Sequence, residues 1–364
     1  MAGPSSPEGP EKERLSPSLR GTAMRVAMYY NNRDVRLEEM PTPDPGPGEV
    51  LIRIMASGIC GSDVLEWYRT KTAPRVLGHE IGGTIAEVGR GVEDWQVGDR
   101  VFATHHVPCN TCHYCLAGHH TACETLHHTN FDPGGFAEYV RVPALNVDRG
   151  MLRLPDEVSF EEATFIEPLA CVLRGQRLAR LQPTQTVVVL GSGISGALHM
   201  RLASARGAGR ILATDISDYR LERAPEFGAD LAVHAQEDVA ARLKETNDGR
   251  LADLVIVCTG ALSACRQALG LVDRGGTVLY FAVPEPGVEL PLPIGELWRN
   301  EVTLMTSYGG APADLAQALE LIRSRRVPVA DMITHRLSLA ETGRGFQLVA
   351  EAGESLKVII EPQR

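Results

Sequence analysis

The chain has 364 residues, 44% apolar and 23% charged, so it is long enough for two globular domains and too apolar for a disordered chain. Its formal net charge of −10 argues against nucleic acid or an acidic membrane surface as the main partner. No apolar run is long enough to span a bilayer and no basic-then-apolar start marks a secretory signal, so a cytoplasmic protein is expected.

Residues 1–23 are rich in Pro, Ser, Gly and charge, have little to bury, and are expected to be disordered. From Met24 the chain alternates as a strand does. Over 24–172 short strands at 49–55, 82–89, 99–102 and 137–142 sit between Gly/Pro turns, the densest of them at 41–48. That pattern predicts a β-rich, partly open barrel.

The texture changes near residue 170. A buried-strand run at 186–190 leads into glycines and a helix over 197–206. Further strands at 210–215, 252–258 and 276–281 alternate with helical segments. Alternation of this kind predicts an α/β domain over 173–310, built on a doubly wound parallel sheet. Residues 311–364 read as a helix over 312–324 and then short strands, the last at 356–361 returning to the first domain.

Three motifs carry chemistry. Cys109, Cys112, Cys115 and Cys123 fall within fifteen residues. Four thiolates close a tetrahedral shell around zinc and leave no open position. Paired disulfides and an iron–sulfur cluster are the rivals. Ferredoxin-type spacing places the fourth cysteine after three residues and before a proline, whereas here the gap is seven and Glu124 follows. The other cysteines, Cys60, Cys171, Cys258 and Cys265, are scattered, as in a reducing compartment.

The second motif, Gly191-Ser192-Gly193-Ile194-Ser195-Gly196, follows a strand and opens a helix, with Asp215 at the end of the next strand. This context suits a dinucleotide pyrophosphate at the helix N-terminus and the ribose hydroxyls of NAD on Asp215, where a 2′-phosphate would be repelled. Arg220 either reaches the adenosine ribose edge or is a solvated helix arginine. The third motif pairs Cys60-Gly61-Ser62-Asp63 with Gly78-His79-Glu80, both in the β-rich part. Cys, His and Glu together suit a catalytic zinc. Glu167, an acid among apolar neighbours, is a further ligand candidate, and Cys171 reads as a core residue of the following helix.

In combination these motifs, with Gly98-Asp99-Arg100-Val101, Gly134-Gly135-Phe136-Ala137-Glu138-Tyr139 and Glu167-Pro168, resemble the zinc-dependent medium-chain dehydrogenase/reductase (alcohol dehydrogenase) family. The resemblance runs from Met24 to the C-terminus and is strongest to the sorbitol and threonine dehydrogenases. It implies a GroES-like catalytic domain, a Rossmann domain inserted before the C-terminal segment, NAD, and two zinc ions. Cys60, His79 and Glu80 are then catalytic zinc ligands, with Glu167 binding directly or through water and Asp63 supporting His79. The cysteine quartet holds a structural zinc in a lobe over about 105–125, and Ser62 binds the alcohol oxygen at the head of a proton relay. Relatives carry His where this chain has Leu65, so the relay must exit through ribose hydroxyls, water or Glu66. The lobe histidines are expected at the surface, with His105 or His106 and Trp67 as candidate pocket walls.

The expected activity is NAD-dependent oxidation of a secondary alcohol, whether a polyol, cyclitol or hydroxy amino acid, by a homodimer or homotetramer. The rivals are a zinc-free quinone or enoyl reductase and a non-catalytic NAD-binding protein.

Overall fold

Three sheets organise the computed structural model, which describes Leu19 and residues 21–364. Residues 1–18 and 20, most of the stretch expected to be disordered, lie outside the described residues. The first strand, Ala23–Asn31, pairs antiparallel with Asp34–Pro41 and with Arg75–Val76.

A seven-stranded sheet forms the β-rich part. Its order is Ile333–Ser338, Lys357–Glu361, Val50–Gly58, Glu80–Val88, Arg100–Ala103, Met151–Arg153, with Tyr139–Val142 also paired to Val50–Gly58. Val50–Gly58 is central and covered on both faces, which explains its nearly continuous apolar run. Its side chains Val50, Ile52 and Ile54 share one core with Ile81, Ile85 and Val101. The last strand, Lys357–Glu361, pairs with Val50–Gly58 and lies parallel to Ile333–Ser338.

The second part is a six-stranded parallel sheet in the order Leu231–His234, Arg210–Asp215, Thr186–Leu190, Ala252–Val257, Val272–Tyr280, Thr303–Thr306. Side chains on its strands alternate between two cores, as the two-residue strand period requires. Val187, Val189, Ile211, Ala213, Leu254 and Ile256 face one helical layer, while Val188, Leu190, Leu212, Val255 and Val257 face the other. The first layer contains the helices Ile166–Leu178, Ile194–Ala205 and Pro312–Arg323. Ile166–Leu178 runs through residues 172 and 173, where composition alone divides the domains. Thr186–Leu190 lies between Arg210–Asp215 and Ala252–Val257, so its carboxyl end is where the strand order reverses. Ligands bind at that point in open parallel sheets.

His199, on Ile194–Ala205, is wholly buried, edge-on to Phe281 at 4.5 Å between ring centroids, and its Nε2 has no partner. Burial pushes its pKa down to about 3, so the fold keeps the ring neutral. The unfolded chain instead takes a proton below about pH 6.5. This contribution to stability is therefore full above about pH 6.5 and falls by roughly 1.4 kcal/mol per pH unit below it. His199→Leu is expected to flatten the decline in urea midpoint between pH 7 and pH 5. Identical pH dependence in both proteins would refute the assignment.

Candidate metal centre and cofactor cleft

Cys60, His79 and Glu80 meet because their strands pair. Antiparallel register sets Gly58, at the end of one strand, opposite Glu80, at the start of the next. Cys60 then caps the short turn Gly61–Val64, and its sulfur accepts hydrogen bonds from Ser62 N (3.4 Å) and Ser62 Oγ (3.3 Å). Donor atoms of Cys60, His79 and Glu80 all lie within 4.8 Å of one another, a spacing and a donor chemistry that fit zinc.

Asp63 organises this cluster. Its side chain is fully buried, accepts from Cys60 N (3.1 Å) and Arg69 (3.2 Å), and lies 3.5 Å from His79 Nδ1. Burial works against charge on Asp63, but His79, Arg69 and the Cys60 N–H outweigh it and hold the pKa below the usual carboxylate value. Burial likewise opposes a charged His79, and the Asp63 carboxylate more than offsets it, so the imidazole is well above its ordinary basicity. A carboxylate on Nδ1 leaves Nε2 to face a metal and makes it a better ligand.

Two features here were not legible in the sequence. Glu80 forms a buried ion pair with Lys357, 277 positions away, and both side chains are 1% exposed. A lysine within the apolar run Leu356–Ile360 was the available sign, since an inward charge needs a partner. Arg69 forks onto Ser62 O (2.9 Å), Ser62 Oγ (3.0 Å) and Asp63.

Glu167 and Cys171 sit one turn apart on Ile166–Leu178, and both line the cavity. Cys171 is therefore not a core residue, which corrects the sequence reading. Its thiol lies 3.4 Å from Glu167 Oε1, and their (i, i+4) spacing puts both side chains on one helical face. Burial raises the Glu167 pKa, with Glu80 adding to it, and burial followed by Glu167 raises that of Cys171. The carboxylate of Glu167 is outside the tight group of Cys60, His79 and Glu80.

The cavity over this cluster has a volume of about 570 Å³ and reaches the parallel-sheet part at Ser195, Phe281 and Tyr308. Leu65, Trp67, His105 and His106 line it as well. The His105 ring is 4.6 Å from that of His79 and 3.7 Å from that of His106. Burial, then the charge of His79, keeps His105 well below the ordinary histidine pKa, and burial lowers His106 to about 4. His113 and His119 are exposed on the lobe.

The cysteine quartet is a separate, closed cluster. Its four sulfurs lie within 4.8 Å of one another, and all eight cysteines are free thiols, so no disulfide forms there. Backbone N–H groups of Thr111 and Cys112 point at Cys109 Sγ (3.5 and 3.2 Å), and that of Cys109 at Cys123 Sγ (3.3 Å). Those from Thr111 and Cys112 bring the Cys109 pKa down to about 5, whereas burial pushes Cys115 up to about 12.

The glycine loop lies where the strand order reverses. Gly191 has φ +97°, which glycine adopts without strain, and a Cβ on Gly196 would overlap the Gly191 carbonyl oxygen. Helix Ile194–Ala205 therefore packs directly on the loop with its N-terminus open. Asp215 accepts backbone N–H groups from Ser192 (2.7 Å), Ile216 (2.8 Å) and Ser217 (3.0 Å). That leaves its carboxylate room for about one further hydrogen bond. Arg220 lies 3.9 Å from Asp215 and against Gly193, so it stands over the loop and is not a solvated helix arginine.

Among the described residues no helix is long and apolar enough to cross a membrane. Residues 46–156 match the Alcohol dehydrogenase GroES-like domain, and residues 196–324 match Zinc-binding dehydrogenase. The chain is 32% identical to sorbitol dehydrogenase from Bacillus subtilis (strain 168) over 351 residues, covering 94% of this chain and 98% of that protein. Sorbitol dehydrogenase from Gallus gallus is 31% identical over 356 residues, with coverage of 94% and 98%. An alcohol dehydrogenase structure from Thermus sp. ATN1 superposes with a TM-score of 0.82 at 30% identity, covering 93% of this chain and 99% of the other. For 2R,3R-butanediol dehydrogenase from Bacillus subtilis the TM-score is 0.81 at 28% identity, with coverage of 93% and 99%. The two parts of the fold are thus GroES-like and Rossmann-like, and the protein is an oxidoreductase that uses zinc and a nicotinamide dinucleotide. The chain belongs to the zinc-dependent medium-chain alcohol dehydrogenase family, in its sorbitol dehydrogenase-like branch.

Proposed function

We propose that the protein is a cytoplasmic, homo-oligomeric, NAD-dependent dehydrogenase that interconverts a secondary alcohol (a polyol, cyclitol or hydroxy amino acid) and its ketone. The observation that carries this reading is one cavity lined both by Cys60 and His79, whose donor atoms cluster with that of Glu80, and by Ser195 of the glycine loop. Cys60, His79 and Glu80 would hold the catalytic zinc, with Glu167 as an inner or water-mediated partner, and the quartet would hold the structural zinc. Bound there, zinc would supply a Lewis acid toward the alcohol oxygen, and NAD would supply the hydride acceptor.

The chain's own residues orient and move the proton. Arg69 occupies an acceptor site on Ser62 Oγ, which leaves the hydroxyl proton free to turn between Cys60 Sγ and a substrate oxygen. Leu65 lines the cavity and cannot carry a proton. Glu66 does not line it, and its carboxylate instead accepts from Asn32 N (3.3 Å). With Leu65 and Glu66 set aside, the proton's exit would fall to water and to the ribose hydroxyls that a bound NAD would supply. Glu66→Gln is expected to keep turnover within about threefold at neutral pH, as for a surface change; a loss beyond about a hundredfold would make Glu66 the relay base.

Asp215 favours NAD, because a 2′-phosphate beside its carboxylate would be repelled. The test is an NAD⁺-reduction screen over sorbitol, xylitol, inositols, threonine and butanediol, repeated with NADP⁺. Equal rates with NADP⁺ would contradict the cofactor assignment. No reduction of either cofactor by zinc-loaded protein would contradict the activity.

A further inference from the structure

The strand Arg75–Val76 delivers one arginine to the cavity wall, and the Arg75 side chain makes no hydrogen bond or ion pair with any described residue. Other charges nearby are already matched. Arg69 is engaged by Ser62 and Asp63, Asp63 also faces His79, Glu80 is paired with Lys357, and Glu167 receives the Cys171 thiol. Asp63 acts on Arg75 from a distance, but a partly buried cation with no ion pair of its own is costly unless an anion joins it. Burial first, and then the like charge of Arg69, pull the Arg75 pKa below the ordinary arginine value. A bound anion would relieve both.

Arg75 is also at the substrate end of the cleft. Its charge acts on His105, whose ring lies tilted against that of His79, 4.6 Å between centroids. The cofactor's pyrophosphate belongs to the separate loop Gly191 to Gly196. Nearby, Ser307 lines the same cavity with its Oγ buried and unpartnered, a second polar group waiting for a ligand.

We propose that Arg75 is a specificity-determining residue that binds a carboxylate on the substrate, so that the preferred alcohol is a hydroxy acid and not a neutral polyol. This rests on the dehydrogenase reading above and narrows its substrate class. A guanidinium fork matches a carboxylate in bidentate geometry. A phosphate would bring nearly two charges and call for a second free cation. Arg69, the other cavity arginine, has its donors committed to Ser62 and Asp63.

The experiment compares matched pairs with full-length zinc-loaded protein: gluconate against sorbitol, 3-hydroxybutyrate against 1,3-butanediol, and sorbitol 6-phosphate as the phosphate arm. Two readouts are taken for wild type, Arg75→Gln and Arg75→Lys. One is kcat/KM for NAD⁺ reduction, and the other is calorimetric binding to the NADH complex. In the wild type the acid of at least one pair is expected to be favoured. Arg75→Gln should lower the acid-to-neutral ratio about ten- to a hundredfold, mainly through KM, the range for a hydrogen-bonded charge. Arg75→Lys should recover part of it, because it keeps the charge without the fork. Neutral alcohols favoured in every pair, no binding of any acid, or a ratio unchanged in Arg75→Gln would overturn the proposal. Strongest Arg75-dependent binding of the phosphate would overturn the carboxylate assignment. Arg75-dependent acid binding without reduction of NAD⁺ by any alcohol would sustain the anion site and defeat the dehydrogenase reading. If Arg75→Gln does not fold, the wild-type ratio and Arg75→Lys decide.

Discussion

Cys60→Ser is expected to abolish NAD⁺ reduction while the protein stays folded, and Cys112→Ser to impair folding while leaving substrate preference in place. Cys60 is one of three clustered donors at an open cavity, and a hydroxyl is a far weaker zinc ligand than a thiolate. Losing the Lewis acid forfeits several kcal/mol of charge stabilisation, or about 10³-fold or more in rate. Folding should survive, because Cys60 is a turn residue between strands whose pairing needs no metal. The quartet is different. Its Cys115 and Cys123 pack with Leu126 into a small core of their own, with Cys109 and Cys112 beside them. A lobe with so little apolar core would depend on a bound metal for order. Zinc content, urea midpoint and the rate ratio on two alcohols separate the cases. A Cys112→Ser protein of wild-type stability with altered substrate choice would mean that the roles of the two sites are reversed.

Lys357→Met is expected to destabilise the protein by about 3–5 kcal/mol, the range for removing one partner of a buried ion pair. Lys357 and Glu80 are each about 1% exposed, so water cannot replace the missing charge. The ammonium also lies 5.3 Å from the Phe165 ring, which would lose its cation. The pair joins the last strand of the chain to the start of the strand Glu80–Val88, next to the candidate donor His79, and breaking it should loosen both. Adding Glu80→Gln should return part of the loss, since no charge is then stranded. Urea midpoints of the two single variants and the double variant test this as a coupling energy. If Lys357→Met matched wild type, the pair would not be stabilising the fold, and Glu80 would be free of any charge constraint from the C-terminal strand.

What could be read from the sequence were features encoded over short stretches. Four cysteines within fifteen residues can close on a metal through local turns alone. The glycine loop needs only the strand before it, the helix after it and an acid at the end of the next strand. The strand periods foretold the parallel sheet for the same reason, because apolar runs such as Thr186–Leu190 report burial on both faces. Cys60, His79 and Glu80 were recognisable as ligand types, though nothing in their spacing says that strand register brings them together. Only the tertiary structure decided the rest. Cys171 turned from core to cavity because the helix Ile166–Leu178 points one particular face at the cavity beside Cys60 and His79. Glu80 found Lys357 because the chain returns, after the parallel sheet, to pair its last strand with Val50–Gly58. Arg75 was left unpaired because the acids near it had already been claimed. A charge's partner depends on which distant segments fold against it, and neither periodicity nor local spacing contains that information.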